Sequence, residues 1–194
     1  MPLQPKPAEP SIRQAGLLFT VLLPHIDPRG DNIRRSGPAY GTMLIAGTVW
    51  FGLFHAFIVA HALGFKINDL DAMGIFIDVF GALLIITGNV FGKLRWNFTL
   101  GIRTPWTLAD ERVWDKTHRF AGWLFVINGF IVLATALTPL SVIVRLGITF
   151  VLLAATFVLT VGQSGKAALR TRTEFEARRE CHLPPHRRKF GPTC

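Results

Sequence analysis

The sequence predicts an all-α membrane protein, a polytopic helix bundle with four full transmembrane helices. Of its 194 residues, 50% are hydrophobic and only 17% are charged. The mean hydropathy is +0.38, and this composition is typical of integral membrane proteins. The apolar residues are concentrated in four stretches of roughly the 20 residues that a helix needs to cross a bilayer. None shows period-two alternation, which favours helices over a barrel.

The four predicted spans form one membrane domain, residues 40–161. They are residues 40–63, 73–91, 120–137 and 142–161. A fifth apolar run, residues 15–23, ends at Pro24 and is too short to span a bilayer. No small-x-small cleavage site follows it, so we expect an interfacial segment rather than a signal peptide, within a Pro-rich and basic N-terminal region, residues 1–39.

The distribution of basic residues predicts the orientation of the bundle. The 21 Lys and Arg residues outnumber the 12 Asp and Glu residues, which gives a net charge of +9. The Lys and Arg residues fall mainly before the first span, between the second and third, and after the fourth. By the positive-inside rule, both termini and the central connector are cytoplasmic. The same blocks argue against nucleic acid as a partner. The basic tail, residues 162–194, is interpreted as a solvated topology anchor, with attraction to anionic lipid as the alternative.

The two cysteines, Cys181 and Cys194, do not suggest a metal site. They form no CxxC pair, and with His182 and His186 they match no familiar zinc spacing. We therefore predict no metal and no cofactor.

The connector between the second and third spans carries a long and uncommon motif. Residues 101–108 read Gly-Ile-Arg-Thr-Pro-Trp-Thr-Leu, and residues 114–119 read Trp-Asp-Lys-Thr-His-Arg. On these residues the chain resembles the Sdp-type (sporulation-delay) toxin immunity family, and we extend the resemblance to residues 24–161. The matching positions are Gly88, Asn89, Asn97, Gly101, Ile102, Arg103, Thr104, Pro105, Trp106, Thr107, Leu108, Trp114, Lys116, Thr117, His118, Arg119 and Gly122.

The resemblance implies a function and a location. Proteins of this family are bacterial inner-membrane proteins that protect the producing cell from a secreted peptide toxin, and some hold a small cytoplasmic repressor at the membrane. Toxin, repressor and membrane lipids are therefore the expected partners. The resemblance also implies that this chain is shortened at its N-terminus.

The connector is expected to contain an amphipathic cytoplasmic helix over residues 105–116, because Thr104 can cap it and Pro105 suits its first position. Trp106 and Trp114 would lie on one face at headgroup depth, together with Val113 and Thr117. Interfacial anchoring of these tryptophans and Trp96 is one interpretation. The other is a docking surface in which arginines bind carboxylates or lipid phosphates. The residues that we expect to carry it are Arg95, Arg103, Trp106, Trp114, His118 and Arg119.

Polar residues within the spans suggest contacts between helices. Asp78 is the acidic residue inside a span, and His55 and His61 are its expected partners at similar depth. The pair is interpreted as a structural clamp, with proton or toxin sensing as the alternative. Asn89 and Asn128 can bond across helices. Glycines in the first and second spans predict close helix packing.

Two other functions compete with immunity. A small transporter or channel component would need several polar residues at the midplane or broken helices, and the spans offer few. An enzyme using His118 with Asp110 or Asp115 has the right residue types, but His beside carboxylates is common on solvated helices. We therefore expect no enzymatic activity.

Overall fold

Residues 27–66 and 68–181, the part described by the computed structural model, form helices joined by turns and loops, without a strand among them. The all-α prediction is confirmed. The apolar segment 15–23 and residues 182–194 lie outside the described part. The helices are α1 (Gly30–Arg35), α2 (Gly37–Ala62), α3 (Asp69–Phe91), α4 (Pro105–Ala109), α5 (Glu111–Thr135) and α6 (Val142–Cys181).

Helices α2, α3, α5 and α6 are long and apolar enough to cross a membrane. They alternate in direction, so residues 63–66, after α2, and residues 136–141, after α5, lie at one end of the bundle. Helix α1, the connector of residues 92–110 and the second half of α6 lie at the other, which we call the connector end. A chain that crosses lipid must satisfy its backbone groups internally, and four such helices do so.

The helix expected over residues 105–116 is instead divided at Asp110. This residue has extended backbone angles, φ −142° and ψ 124°, and its side chain accepts hydrogen bonds from the backbone N–H groups of Arg112 and Val113. An N-cap of this kind starts a new helix. The third long helix therefore begins at Glu111, nine residues before the predicted span start at Phe120, and residues 111–116 belong to it.

Helix α6 continues well past its predicted end at Val161. It has 40 residues, or about 60 Å at 1.5 Å per residue, twice the thickness of about 30 Å of a hydrocarbon core. Residues 162–181, expected as part of a polar tail, are therefore helical. Residues 166–181 contain no Gly or Pro, and Arg172 pairs with Glu176 one turn later at 3.0 Å.

The most intimate packing in the bundle is an antiparallel seam between α3 and α5. A Cβ on Gly88 would lie 2.7 Å from the carbonyl oxygen of Gly122, and the reverse distance is the same. Seven residues further along each helix, Gly81 meets Gly129 in the same way, with a Cβ on Gly81 only 3.2 Å from the Gly129 carbonyl oxygen. The predicted packing role of the glycines in the second span is thereby explained, since small residues let helix backbones approach in a membrane.

Helix α2 lies at the edge of the bundle and packs on α3 through aromatic rings. The ring centroids of Trp50 and Phe80 are 5.5 Å apart. The ring of Phe76 contacts those of Phe54 and Phe57, with centroids 5.5 and 5.4 Å apart. A Cβ added to Gly41, Gly47 or Gly52 would meet no atom of residues 27–66 and 68–181 within 4 Å, so among these residues the packing role predicted for the glycines of α2 is wrong.

Gly88→Ala and Gly47→Ala are expected to change stability in opposite directions. At Gly88 the new methyl group collides with the Gly122 backbone, which cannot rotate away, so the free energy of unfolding should fall by about 1–3 kcal/mol. At Gly47 the space is open, and Ala favours the helix by up to about 1 kcal/mol. Denaturant unfolding of the purified chain in detergent measures both. Equal effects of the two substitutions would contradict the seam.

Candidate functional site at the connector end

The connector is built on an aromatic continuation of the α3–α5 seam. The ring of Phe91, at the end of α3, stacks on His118 with centroids 5.0 Å apart, and Trp114 stacks on the other side at 3.8 Å. The indole N–H of Trp114 donates to the carbonyl oxygen of Leu94 at 2.9 Å. Trp114 and His118 are both fully buried. Three side chains from α3 and α5 thus fix the start of the connector.

His118 also fixes the middle of the connector. Its Nε2 accepts a hydrogen bond from the backbone N–H of Ile102 at 3.0 Å, and its Nδ1 lies 2.9 Å from the carbonyl oxygen of Trp114. Because Nε2 accepts, the ring proton lies on Nδ1, and the imidazole is neutral. Gly101 lies against the Nε2 edge of the ring with φ +117°, and a Cβ there would be only 2.4 Å from Nε2. The glycine of the motif is therefore required by both its conformation and this contact.

Three polar side chains organise the loop itself. Asn97 accepts from the backbone N–H groups of Thr99 and Leu100 at 2.9 and 2.7 Å and donates to the Arg95 carbonyl at 2.7 Å. Thr104 and Thr107 form a capping box at the start of α4. Such local bonds replace the helix ladder in a segment that is not helical.

Residues just before α1 hold the connector from its other side. The Asp27 carboxylate accepts from the Phe98 backbone N–H at 2.9 Å and from the Thr99 hydroxyl. The Arg29 guanidinium lies over the Trp96 ring, 3.1 Å from its centroid, a cation–π contact. These residues precede the first membrane helix, yet they form part of the same folded unit as the connector.

The structure brings most of the motif residues together in this unit. Asn97, Thr104, Thr107 and Thr117 are buried in it, Gly101 and Ile102 lie against His118, and Pro105 begins α4. Two residues stand apart. Lys116 is exposed, and Asn89 bonds the Ile85 carbonyl of its own helix rather than a neighbour.

The residues expected to form a docking surface fall into two groups. Trp114 and His118 are fully buried, so they support the connector and cannot touch a partner. Arg95, Arg103, Trp106 and Arg119 are exposed. The division arises because α5 starts at Glu111, which turns positions 114 and 118 towards α3.

Trp106 contributes to a groove that sequence reasoning missed. The groove has a volume of about 520 Å³ and lies between α4, the first turn of α5 and the distal half of α6. Its walls include Trp106 and Val113 on one side and Ala168, Arg172 and Phe175 on the other. The second wall was unforeseen because residues 162–181 were not expected to continue α6.

The intramembrane carboxylate has a different partner from the one predicted. Asp78 of α3 is bonded to Arg145 of α6, and Arg145 also donates to the Thr135 hydroxyl of α5 at 3.1 Å. His55 lies on the exposed side of α2, and His61 is near Asp69 at 3.9 Å. The expected Asp78–His pairing is therefore wrong. An Arg reaches a carboxylate on another helix more easily than His, since its side chain is longer and always charged.

Other polar contacts follow α6 along the face that it turns to the bundle. Asn128 of α5 donates to the Thr156 hydroxyl at 2.6 Å, and Ser164 lies 3.3 Å from the Thr104 hydroxyl of the connector. Asn128 thus bonds across helices as predicted. Within residues 27–66 and 68–181, no group of three or more His, Cys, Asp or Glu side chains is arranged to hold a metal ion.

Together these features define a polytopic helical membrane protein whose central connector is folded into a hydrogen-bonded unit at one end of the bundle. Residues 93–163, from the connector to the membrane half of α6, match the SdpI/YfhL protein family. The predicted resemblance is confirmed for this part of the chain.

A curated relative matches over a similar region. The chain is 38% identical over 93 residues to the protein named Immunity protein SdpI of Bacillus subtilis (strain 168), a match that covers 48% of this chain and 44% of the relative. The chain thus spans less than half the length of that relative. No solved structure matches.

Trp114→Phe and Trp106→Phe are expected to differ sharply. Phe at position 114 leaves the buried Leu94 carbonyl without its donor, which should cost about 1–3 kcal/mol of unfolding free energy. Trp106 is 44% exposed, so its substitution should change stability by less than about 0.5 kcal/mol. Denaturant unfolding in detergent distinguishes them. Similar stabilities for the two variants would show that the connector is not fastened through Trp114.

Asp78→Asn is expected to destabilise the bundle by about 3 kcal/mol, because Arg145 then loses its counter-ion. The exchange Asp78→Arg with Arg145→Asp should recover part of this loss. His61→Gln serves as the control, since its contact with Asp69 is exposed and long. Unfolding midpoints in detergent test the series. An exchange variant no more stable than either single variant would argue against the ion pair.

Proposed function

We propose that this chain is a membrane immunity protein that protects a bacterial cell from a secreted peptide toxin. The observation that carries the proposal is the match of residues 93–163 to the SdpI/YfhL protein family, which includes the whole connector from Lys93 onward. The name of the Bacillus subtilis relative, Immunity protein SdpI, supports the same function. The chain also has four helices that are long and apolar enough to span a membrane, which is where a membrane immunity protein acts.

The exposed part of the connector is the proposed docking surface. Arg103 is exposed, while its guanidinium donates to the Phe98 carbonyl at 2.9 Å and is thereby oriented. Trp106, nearby on α4, presents an indole that is 44% exposed. An oriented Arg beside an exposed aromatic ring is the combination that dominates binding hot spots. The buried Trp114 and His118 beneath this surface hold the connector in place, but they are not themselves part of the docking surface.

The orientation of the bundle belongs to the same proposal. The positive-inside rule places the connector end in the cytoplasm, since Arg34, Arg35, Lys93 and Arg95 lie there with the basic second half of α6. On that side the docking surface meets cytoplasmic partners, among which the family resemblance suggests a small repressor.

An ion pair at membrane depth is the feature that would favour the second candidate, a transporter or channel component. Asp78 and Arg145 neutralise each other, however, and Arg145 is also bonded to Thr135. The arrangement ties α3, α5 and α6 together, as a structural clamp does. We therefore keep immunity as the proposed function.

Expression of the chain should increase the survival of a bacterium that is sensitive to an Sdp-type killing peptide. The double variant Arg103→Ala/Trp106→Ala should lose most of this protection, because it removes the charge and the apolar area of the docking surface. Colony counts after exposure to the peptide measure the effect, with immunoblots of the membrane fraction to compare protein levels.

The matched control removes one cation and one exposed apolar side chain elsewhere. Lys166→Ala/Leu169→Ala alters residues of α6 that do not line the groove, and it should protect as well as the unmodified chain. Absence of protection by the unmodified chain at normal membrane levels would refute the proposed function. Protection by the connector variant at the level of the unmodified chain would refute the docking surface alone.

A further inference from the structure

The groove beside Trp106 is an interaction surface with a definite chemistry. Its floor and walls are mainly apolar, with Val113 buried at the base and Trp106 and Phe175 exposed at the sides. A groove between helices that is lined in this way accepts the apolar face of an amphipathic helix. Because exposed aromatic residues surround a concave site, the surface is suited to binding rather than to solvation alone.

The charges around the groove select an acidic partner. Three guanidinium groups line it, those of Arg112, Arg172 and Arg178. The carboxylates among the lining residues are those of Asp110, which caps α5, and Glu174. Arg172 also pairs with Glu176 of its own helix, but both side chains are exposed, and an exposed ion pair of this kind is weak enough for an incoming carboxylate to replace it. With three guanidinium groups against two lining carboxylates, the rim favours carboxylates on an incoming helix.

The position of the groove distinguishes a water-soluble partner from a lipid. Arg178 lies 36 residues beyond Val142 in one continuous helix, which is about 54 Å along the axis, or about 51 Å after a tilt of 20°. A whole bilayer, headgroups included, is about 40–45 Å thick. Even with Val142 at the outer headgroup edge, Phe175 and Arg178 therefore stand in water.

We propose that this groove binds an acidic amphipathic helix of a water-soluble protein. Apolar side chains of the helix would pack against Trp106, Val113 and Phe175, and its carboxylates would pair with Arg172 and Arg178. The distal wall, formed by residues 168–178, lies outside the family match of residues 93–163. The proposed site therefore includes a part of α6 beyond the family match and goes beyond the docking surface of the proposed function.

Binding of model peptides to the full chain in phosphatidylcholine nanodiscs tests the inference. The probe is a fluorescein-labelled amphipathic helix of Leu and Glu, followed by fluorescence anisotropy, and its counterpart carries Lys in place of every Glu. We expect the Glu peptide to bind at least about tenfold more tightly than the Lys peptide, since like charges at the rim repel.

Paired charge reversals on α6 locate the site. Arg172→Glu/Arg178→Glu should weaken binding of the Glu peptide about tenfold, and Trp106→Ala should weaken it similarly through lost apolar contact. Lys166→Glu/Arg170→Glu changes the net charge equally at positions of α6 that do not line the groove, and it should leave affinity within about twofold. Far-ultraviolet circular dichroism checks that each variant remains helical.

Three results would overturn the inference. Equal weakening by the two charge reversals would indicate a non-specific field, and equal affinity for the two peptides would exclude charge selection. Competition by phosphatidylglycerol in the nanodisc, abolishing binding of the Glu peptide, would identify lipid headgroups as the occupant. The assay contains no toxin and exposes both faces of the bilayer, so its outcome is independent of the survival experiment and of the orientation of the chain.

Discussion

The backbones of α3 and α5 approach so closely at Gly88 and Gly122 that no side chain fits between them. In lipid, helices gain little from burying apolar surface against one another, so close van der Waals contact becomes the main source of packing energy. A second glycine pair, Gly81 with Gly129, repeats the contact seven residues along each helix. The two helices are therefore locked in one register, and the remaining elements are placed relative to this pair.

The connector depends on that register. Phe91 and His118 stack only because the last turn of α3 lies beside the second turn of α5. The hydrogen bond that His118 accepts from the Ile102 backbone then fixes the middle of the loop. A non-helical loop at a membrane surface normally moves more than the helices that it joins. Here buried side chains of α5 hold it, so the exposed Arg103 and Trp106 are presented in a fixed arrangement.

The sequence predicted the membrane class, the four long apolar helices and the family resemblance of the connector, because each depends on composition or on a contiguous motif. It did not predict that the Trp114 side chain would be buried while that of Trp106 is exposed. Trp106 and Trp114 look alike in sequence, and only the cap at Asp110 decides that one is exposed and the other buried. Local propensity favoured one helix over residues 105–116, whereas the docking of α5 on α3 required a new start at Glu111.

The partner of Asp78 was likewise beyond sequence reasoning. His55 and His61 were the expected partners because they occupy the preceding span, yet neighbouring spans in sequence need not present the same faces to each other. Arg145 lies 67 residues away, and it reaches Asp78 because α6 packs against both α3 and α5. Such a pairing depends on which face α6 turns inward, a property that hydropathy does not specify.

That face of α6 carries a row of small hydroxyl residues, Thr149, Thr156, Thr160 and Ser164, all buried. Their spacing of seven and four residues keeps them on one side of the helix, where Thr156 bonds Asn128 and Ser164 meets Thr104. Directional hydrogen bonds fix the rotation of a helix more strictly than apolar contact does. The same face continues through Ala168 and Phe175, again at helical spacing, beyond the end of the membrane span. The wall of the groove therefore lies on the same face of α6 as the polar row, and the contacts of that row help to orient it towards Trp106.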